Sequence, residues 1–269
     1  SRILLNSQYK SKSSFLEKLE IGTHYQIHPK YVVAKSIVPM DDLKKKFNLD
    51  YYNEQRNAYF IAPTEKFISE TNINNVGLRI LINKYSESSK ELLKDLFCVA
   101  PEYAEKISSL IYKKIDCANL RFLCSWEVKG VKQNRVSLNF SDLDIHNNLR
   151  VKLTVNLGED DKNTIRVFME QFGKYFIEQD IGRIAIKEFY YNDKIEWNDA
   201  GFGGSHQMGG TRMGFDLNDS VVNTNLKVHN VSNLYVLGTS VFNSSGHANP
   251  TLTICQLGFR LANHLKKLI

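Results

Sequence analysis

Two short segments near the end of the 269-residue chain hold side chains suited to moving a proton and to binding negative charge. The first is Gly203-Gly-Ser-His206-Gln-Met-Gly-Gly-Thr-Arg-Met-Gly214. Gly201, Gly203, Gly204, Gly209, Gly210 and Gly214 fall within fourteen positions, a density that means backbone bent tightly or closely approached. A histidine in such a stretch has few bulky neighbours in sequence, so its ring is free to face a cavity. A neutral imidazole with a pKa near ~6.5 accepts a proton at physiological pH. The other reading is a loop histidine satisfied by backbone carbonyls, and on spacing alone the two stand level.

The second segment is Ser244-Ser-Gly-His247-Ala-Asn249-Pro250-Thr251-Leu-Thr-Ile-Cys255. Asn249 is expected to cap a helix, with Pro250 at its first position, where a missing N–H costs nothing. The N–H groups of Thr251, Leu252 and Thr253 would then point out of the helix start and, with the helix dipole, favour negative charge. An ordinary capped surface helix reads the same way by composition.

Two further patterns are weaker. His24 and His28 have the i, i+4 spacing of some zinc helices, but the glutamate of that motif is missing and Pro29 breaks the helix it needs. No metal site is expected. No G-x-G-x-x-G occurs, so the phosphate-gripping loop of a dinucleotide fold is absent from these residues.

The elements that must position these segments follow from periodicity. Residues 3–20 read as two short helical pieces broken at Lys10–Ser14, with Gly22 closing the second. Tyr31–Val38 is β-branched and stops at Pro39, so it predicts a strand. Residues 40–50 predict a short charged helix, Asn57–Ala62 a strand, and 75–115 broken helix, with a further helix starting at Pro101. Leu120–Val128, Arg135–Phe140 and Val151–Leu157 predict strands. A long helix starts at Asp160 or Asp161 with the stripe Ile165, Phe168, Met169, Phe172 and Phe176, and Gly182 is expected to end it. A short strand Asn233–Leu237 and an amphipathic helix from Thr251 complete the chain. This order favours α+β with an antiparallel sheet over a doubly wound parallel fold.

Composition narrows the function classes. Hydrophobic residues make up 42% of the chain, enough for a sizeable core. The net charge of +6 is spread as scattered lysines rather than a basic patch, so no nucleic-acid partner is expected. No run of eighteen apolar residues occurs, so no membrane span is expected. Cys98, Cys117, Cys124 and Cys255 show no C-x-x-C spacing and read as buried hydrophobes in a reducing, cytoplasmic compartment.

Taken together, the two active segments resemble the C-terminal signature of the glucose–methanol–choline oxidoreductase family. The residues that carry the likeness are His206-Gln-Met-Gly-Gly-Thr-Arg-Met-Gly214, Val221-Val-Asn223, Lys227-Val-His229, Asn233-Leu-Tyr-Val236, Ser240-Val-Phe242 and Gly246-His-Ala-Asn-Pro-Thr-Leu-Thr-Ile254. Fainter echoes lie at Arg2–Asn6, Ile21-Gly22, His28-Pro29, Glu127, Asn134–Leu138 and Asp142. The resemblance implies an FAD-dependent oxidoreductase acting on the CH–OH group of a sugar or polyol, most like pyranose oxidases and related sugar dehydrogenases. It implies His206 as the base that takes the alcohol proton while hydride passes to flavin N5, and Asn249 as the second active-site residue. Gly238, Thr239, Ser240, Asn249, Pro250 and Thr251 would lie against the cofactor, with Gly238-Thr239-Ser240 standing where many members have Asp-Ala-Ser. His247 reads as a loop residue. It leaves the electron acceptor unassigned.

The resemblance also implies a division of the chain. Residues 1–30 and 196–269 would be pieces of an FAD-binding, Rossmann-like domain, and 31–195 an antiparallel-sheet substrate domain. The N-terminal half with the ADP-binding loop would lie before Ser1. The alternative expectation is a non-catalytic truncated product, or a partner subunit that needs a separate N-terminal FAD-binding half.

Overall fold

The computed structural model describes residues 1–11, 16, 18–39, 60–84, 117–195, 197 and 206–268. The expected helix at 40–50, most of the strand at 57–62, residues 85–115, Cys98 and the glycines at 201, 203 and 204 lie outside them. The chain divides into two compact units. The first comprises Ser1–Pro29, Glu127–Gly158 and Gly204–Ile269; the second comprises Lys30–Trp126 and Glu159–Gly203.

The second unit is built on one sheet. Its strands are β2 (Lys30–Pro39), β3 (Phe60–Ile61), β4 (Val76–Lys84), β5 (Cys117–Trp126) and β8 (Ala185–Ile186). They lie in the order β3-β4-β5-β2-β8, and every pairing is antiparallel. Inward residues alternate along β4 and β5, as strands with one face on the core require. Val76, Leu78 and Ile80 face the core from β4, and Leu120, Phe122, Cys124 and Trp126 from β5. The expectation of helix over 75–84 is therefore corrected: this segment is a strand, and its buried positions follow a period of two.

Helix α3 (Glu159–Glu178) belongs to the same unit and buries Ile165, Phe168, Met169, Phe172 and Phe176, the stripe its spacing predicts. The rings of Phe172 and Phe176 meet Phe122 edge-on at centroid distances of 5.9 and 5.6 Å. The helix does not end on Gly182. Asp180 takes the left-handed conformation (φ 51°), the Ile181 N–H reaches back to Phe176 O at 2.9 Å, and the Asp180 N–H to Ile177 O at 2.9 Å. This is the paired C-terminal turn of a Schellman motif, with buried Ile181 and Phe176 on its apolar side. A short helix α2 (Glu65–Thr71), capped by the Thr64 hydroxyl, was not foreseen.

The first unit gathers three separate stretches of chain. Helix α1 (Arg2–Ser11) packs Leu4 and Leu5 against Val221, Val222, Leu226, Val228 and Val241. The hairpin β6 (Arg135–Leu143) and β7 (Leu149–Thr154) is antiparallel, with a register shift between Asn139 and Leu143. Two-residue strands β1 (Gln26–Ile27) and β9 (Gln207–Met208) pair antiparallel, with Ile27 opposite Gln207. Helix α4 (Thr251–Leu265) closes the chain. The expected strand at Asn233–Leu237 is instead an isolated bridge between Lys227 and Tyr235, with the Val236 N–H donating to Leu226 O at 2.9 Å. Helices and antiparallel sheets in this arrangement are the α+β class the sequence implies.

Candidate active site

The site is assembled within the first unit, around the pair β1–β9. His206 stands immediately before β9 and is half-buried. Met208 anchors the strand in the core. The backbone then turns at Gly209, whose φ of +74° suits glycine; a Cβ there would lie 2.0 Å from His24 O. A Cβ on Gly22 (φ +89°) would likewise meet Val136 O at 2.1 Å, and the Gly22 N–H donates to Gly210 O at 2.7 Å. The glycine pair after His206 thus exists so that this loop can lie directly on the backbone of residues 22–25.

From Gly209 onward the segment runs alongside residues 239–241, a short 3₁₀ turn. The Gly209 N–H donates to Thr239 O at 3.1 Å, the Thr211 N–H to Ser240 O at 2.9 Å, and the Met213 N–H to Val241 O at 3.0 Å. Buried Thr211 adds a side-chain bond, its Oγ1 donating to Ser240 Oγ at 2.7 Å. The sequence-expected residues His206, Thr239 and Ser240 are therefore carried on two segments locked together by hydrogen bonds.

The loop leading to α4 is tied to the same strand pair. Gln26 Nε2 donates to Asn243 O at 2.8 Å, and Ser245 Oγ to Ile27 O at 3.3 Å. Ser244 Oγ donates to Glu127 Oε1 at 2.5 Å. His247 is half-buried on this loop. Burial lowers its pKa, and the Glu127 carboxylate works against that shift. The imidazole is accordingly biased toward its neutral form.

The start of α4 departs from expectation by one residue. The first helical bond runs from the Ile254 N–H to Pro250 O at 3.0 Å, so Pro250, which is buried, occupies the cap position and no side chain caps it. Asn249 is exposed and lies one residue outside the helix. The N–H groups of Thr251, Leu252 and Thr253 precede that first bond and are left at the helix start with its dipole. Gly238 (φ +148°) has nothing within 4 Å of where a Cβ would stand, so open space adjoins the Gly238-Thr239-Ser240 turn. The helix start is exposed at Thr251, Leu252 and Thr253, and its unpaired N–H groups and dipole favour negative charge there.

A residue that the sequence reading did not place at the site is brought to His206. His28 is wholly buried, and its Nε2 is hydrogen-bonded to His206 Nδ1. The two rings meet edge-on, with centroids 4.6 Å apart and planes at 85°. The available signal was a histidine before a proline, which fixes an extended backbone; its partner lies 178 positions away, beyond any local pattern. His24 does not join them. It is buried with a left-handed backbone (φ 55°), and Thr23 Oγ1 contacts its Nδ1 at 2.9 Å.

Residues 131–258 match the family model for GMC oxidoreductase. Over these residues, just under half of the chain, the sequence is similar to that family. Among curated proteins, the fructose dehydrogenase large subunit of Gluconobacter japonicus is 42% identical over 59 residues, which are 22% of this chain and 11% of that protein. Among solved structures, formate oxidase superposes with a TM-score of 0.52 at 14% identity, covering 93% of this chain and 48% of that one. A variant of formate oxidase from Aspergillus oryzae RIB40, solved for its effect on FAD modification, gives a TM-score of 0.52 at 14% identity, with 93% and 48% covered. These structural likenesses show a shared fold. The chain spans about half the length of the solved structures it matches.

Proposed function

We propose that this chain carries the proton-accepting part of an FAD-dependent GMC oxidoreductase that oxidises the CH–OH group of a sugar or polyol. The observation that supports this best is the hydrogen-bonded union of the His206 segment with Thr239 and Ser240, inside the stretch that matches the family. His206 would accept the hydroxyl proton at Nε2, since its Nδ1 faces His28. Asn249, exposed at the foot of α4, would orient the same hydroxyl through its amide. The N–H groups of residues 251–253 would face the negative charge of the cofactor ring. FAD, when bound, supplies the two-electron acceptor for the carbinol hydrogen, so loss of proton and hydride leaves a carbonyl. The sugar or polyol class draws support from the likeness to the fructose dehydrogenase large subunit.

The test is anaerobic bleaching of the flavin absorbance of the complete polypeptide by a panel of sugars, polyols and simple alcohols. Bleaching by at least one sugar or polyol is expected. No bleaching by any member would overturn the reading.

A second reading is favoured by one observation, the 48% share of formate oxidase that the chain covers. In it these 269 residues hold FAD only together with a further FAD-binding half, and act as a binding module or partner subunit without it. Titration of the 269-residue chain with FAD is then expected to show no stoichiometric binding; tight binding would contradict it.

A further inference from the structure

We propose that His28 is a positioning residue that sets the tautomer of His206. The inference rests on the reading of His206 as a base. An imidazole that accepts a proton through Nε2 must keep that nitrogen's lone pair free, and so must carry its hydrogen on Nδ1. His206 Nδ1 points at His28 Nε2. For His206 to be the base, its Nδ1–H must donate and His28 Nε2 must accept, with His28 neutral.

The backbone is arranged to hold this pair. β1 and β9 place Ile27 opposite Gln207 in antiparallel register, so the next facing pair is His28 and His206. Pro29 restricts His28 to extended backbone. Complete burial of His28 removes water as a competitor, and the near-perpendicular ring planes present an N–H edge to an in-plane lone pair. When His206 takes up a proton, the bond to His28 becomes charge-assisted and strengthens. His28 therefore favours the protonated product of the base step without touching substrate. It plays the part that the carboxylate plays in a serine-protease triad, with a neutral acceptor in its place.

The test reads the tautomer directly. In protein labelled with ¹⁵N-histidine, long-range proton–nitrogen correlations above the histidine titration should show His206 as the Nδ1–H form. His28→Leu should convert it to a mixture rich in the Nε2–H form that free imidazole prefers. His28→Gln, whose amide oxygen accepts the same hydrogen, should restore Nδ1–H. In the complete, FAD-loaded polypeptide, His28→Leu should lower the rate of flavin reduction about tenfold or more with little change in KM, and His28→Gln should recover most of it. An Nε2–H tautomer in the unaltered protein overturns the proposal, as does an unchanged tautomer in His28→Leu. If His28→Leu does not fold, the unaltered protein and His28→Gln decide. These spectra need no substrate, so they fail independently of the base assignment, which His206→Ala kinetics test.

Discussion

Thr211 and Ser240 meet side chain to side chain, the Thr211 hydroxyl donating to Ser240 Oγ at 2.7 Å while its N–H donates to the carbonyl of the same residue at 2.9 Å. This double link joins the glycine-rich segment after His206 to the Gly238-Thr239-Ser240 turn. Thr211→Val keeps the shape and removes the hydroxyl bond, and should destabilise the protein by about 1 kcal/mol. Ser240→Ala should cost a similar amount. The double variant should cost less than the sum, because both changes break one bond. Urea unfolding of the four proteins checks this; additive losses would show that the hydroxyls do not interact.

Gly209 lies with positive φ against the carbonyl of His24. Gly209→Ala forces a Cβ to 2.0 Å from that oxygen, a separation only backbone movement relieves. The expected loss is at least about 2 kcal/mol, combining left-handed strain with the clash. A midpoint of urea unfolding unchanged from the parent protein would contradict this placement.

In the second unit, the Trp126 indole N–H donates to Asp161 Oδ1 at 3.0 Å, with both residues buried. Trp126→Phe removes that donor from a buried carboxylate and leaves a void beside the ring of Trp197. The expected cost is roughly 2–4 kcal/mol by chemical denaturation. A loss under about 1 kcal/mol would mean that Asp161 draws little from this bond.

His24 contributes pH dependence of a fixed sign. Burial, then the charge of Arg212, hold its pKa below the ordinary value of 6.5; Lys132 adds to the shift while Glu20 and Asp219 oppose it. The unfolded chain therefore binds a proton here at a higher pH than the folded one. Stability from this group is full above about pH 7 and falls as pH drops through 6.5 and then through the folded value. His24→Asn suits the left-handed backbone and removes the titration. Its unfolding free energy should fall less between pH 7 and 5 than that of the parent; equal slopes would refute the shift.

The elements that local pattern revealed are those whose burial repeats along one stretch of chain. The stripe of α3 and the alternation of β5 were readable because each packs one face on one core, while β2 was readable from its β-branched run ending at Pro39. β4 was misread because Leu81 between Ile80 and Ile82 makes an apolar run that hides the alternation of Val76, Leu78 and Ile80. Caps shifted by a residue or two, at Pro250 and Asp180, since several polar or small residues compete for each end. In the candidate site, the His206 segment stands out by its glycines, and the Gly238-Thr239-Ser240 turn enters only through the family resemblance. His28 was not, because the β1–β9 pairing that delivers it joins two-residue strands far apart in sequence.

The base assignment of His206 is tested most directly by anaerobic stopped-flow reduction of the flavin in the complete polypeptide carrying His206→Ala. The expected result is FAD still bound and its reduction by substrate slowed at least about 100-fold. A reduction rate equal to that of the unaltered protein, with FAD bound, would contradict it.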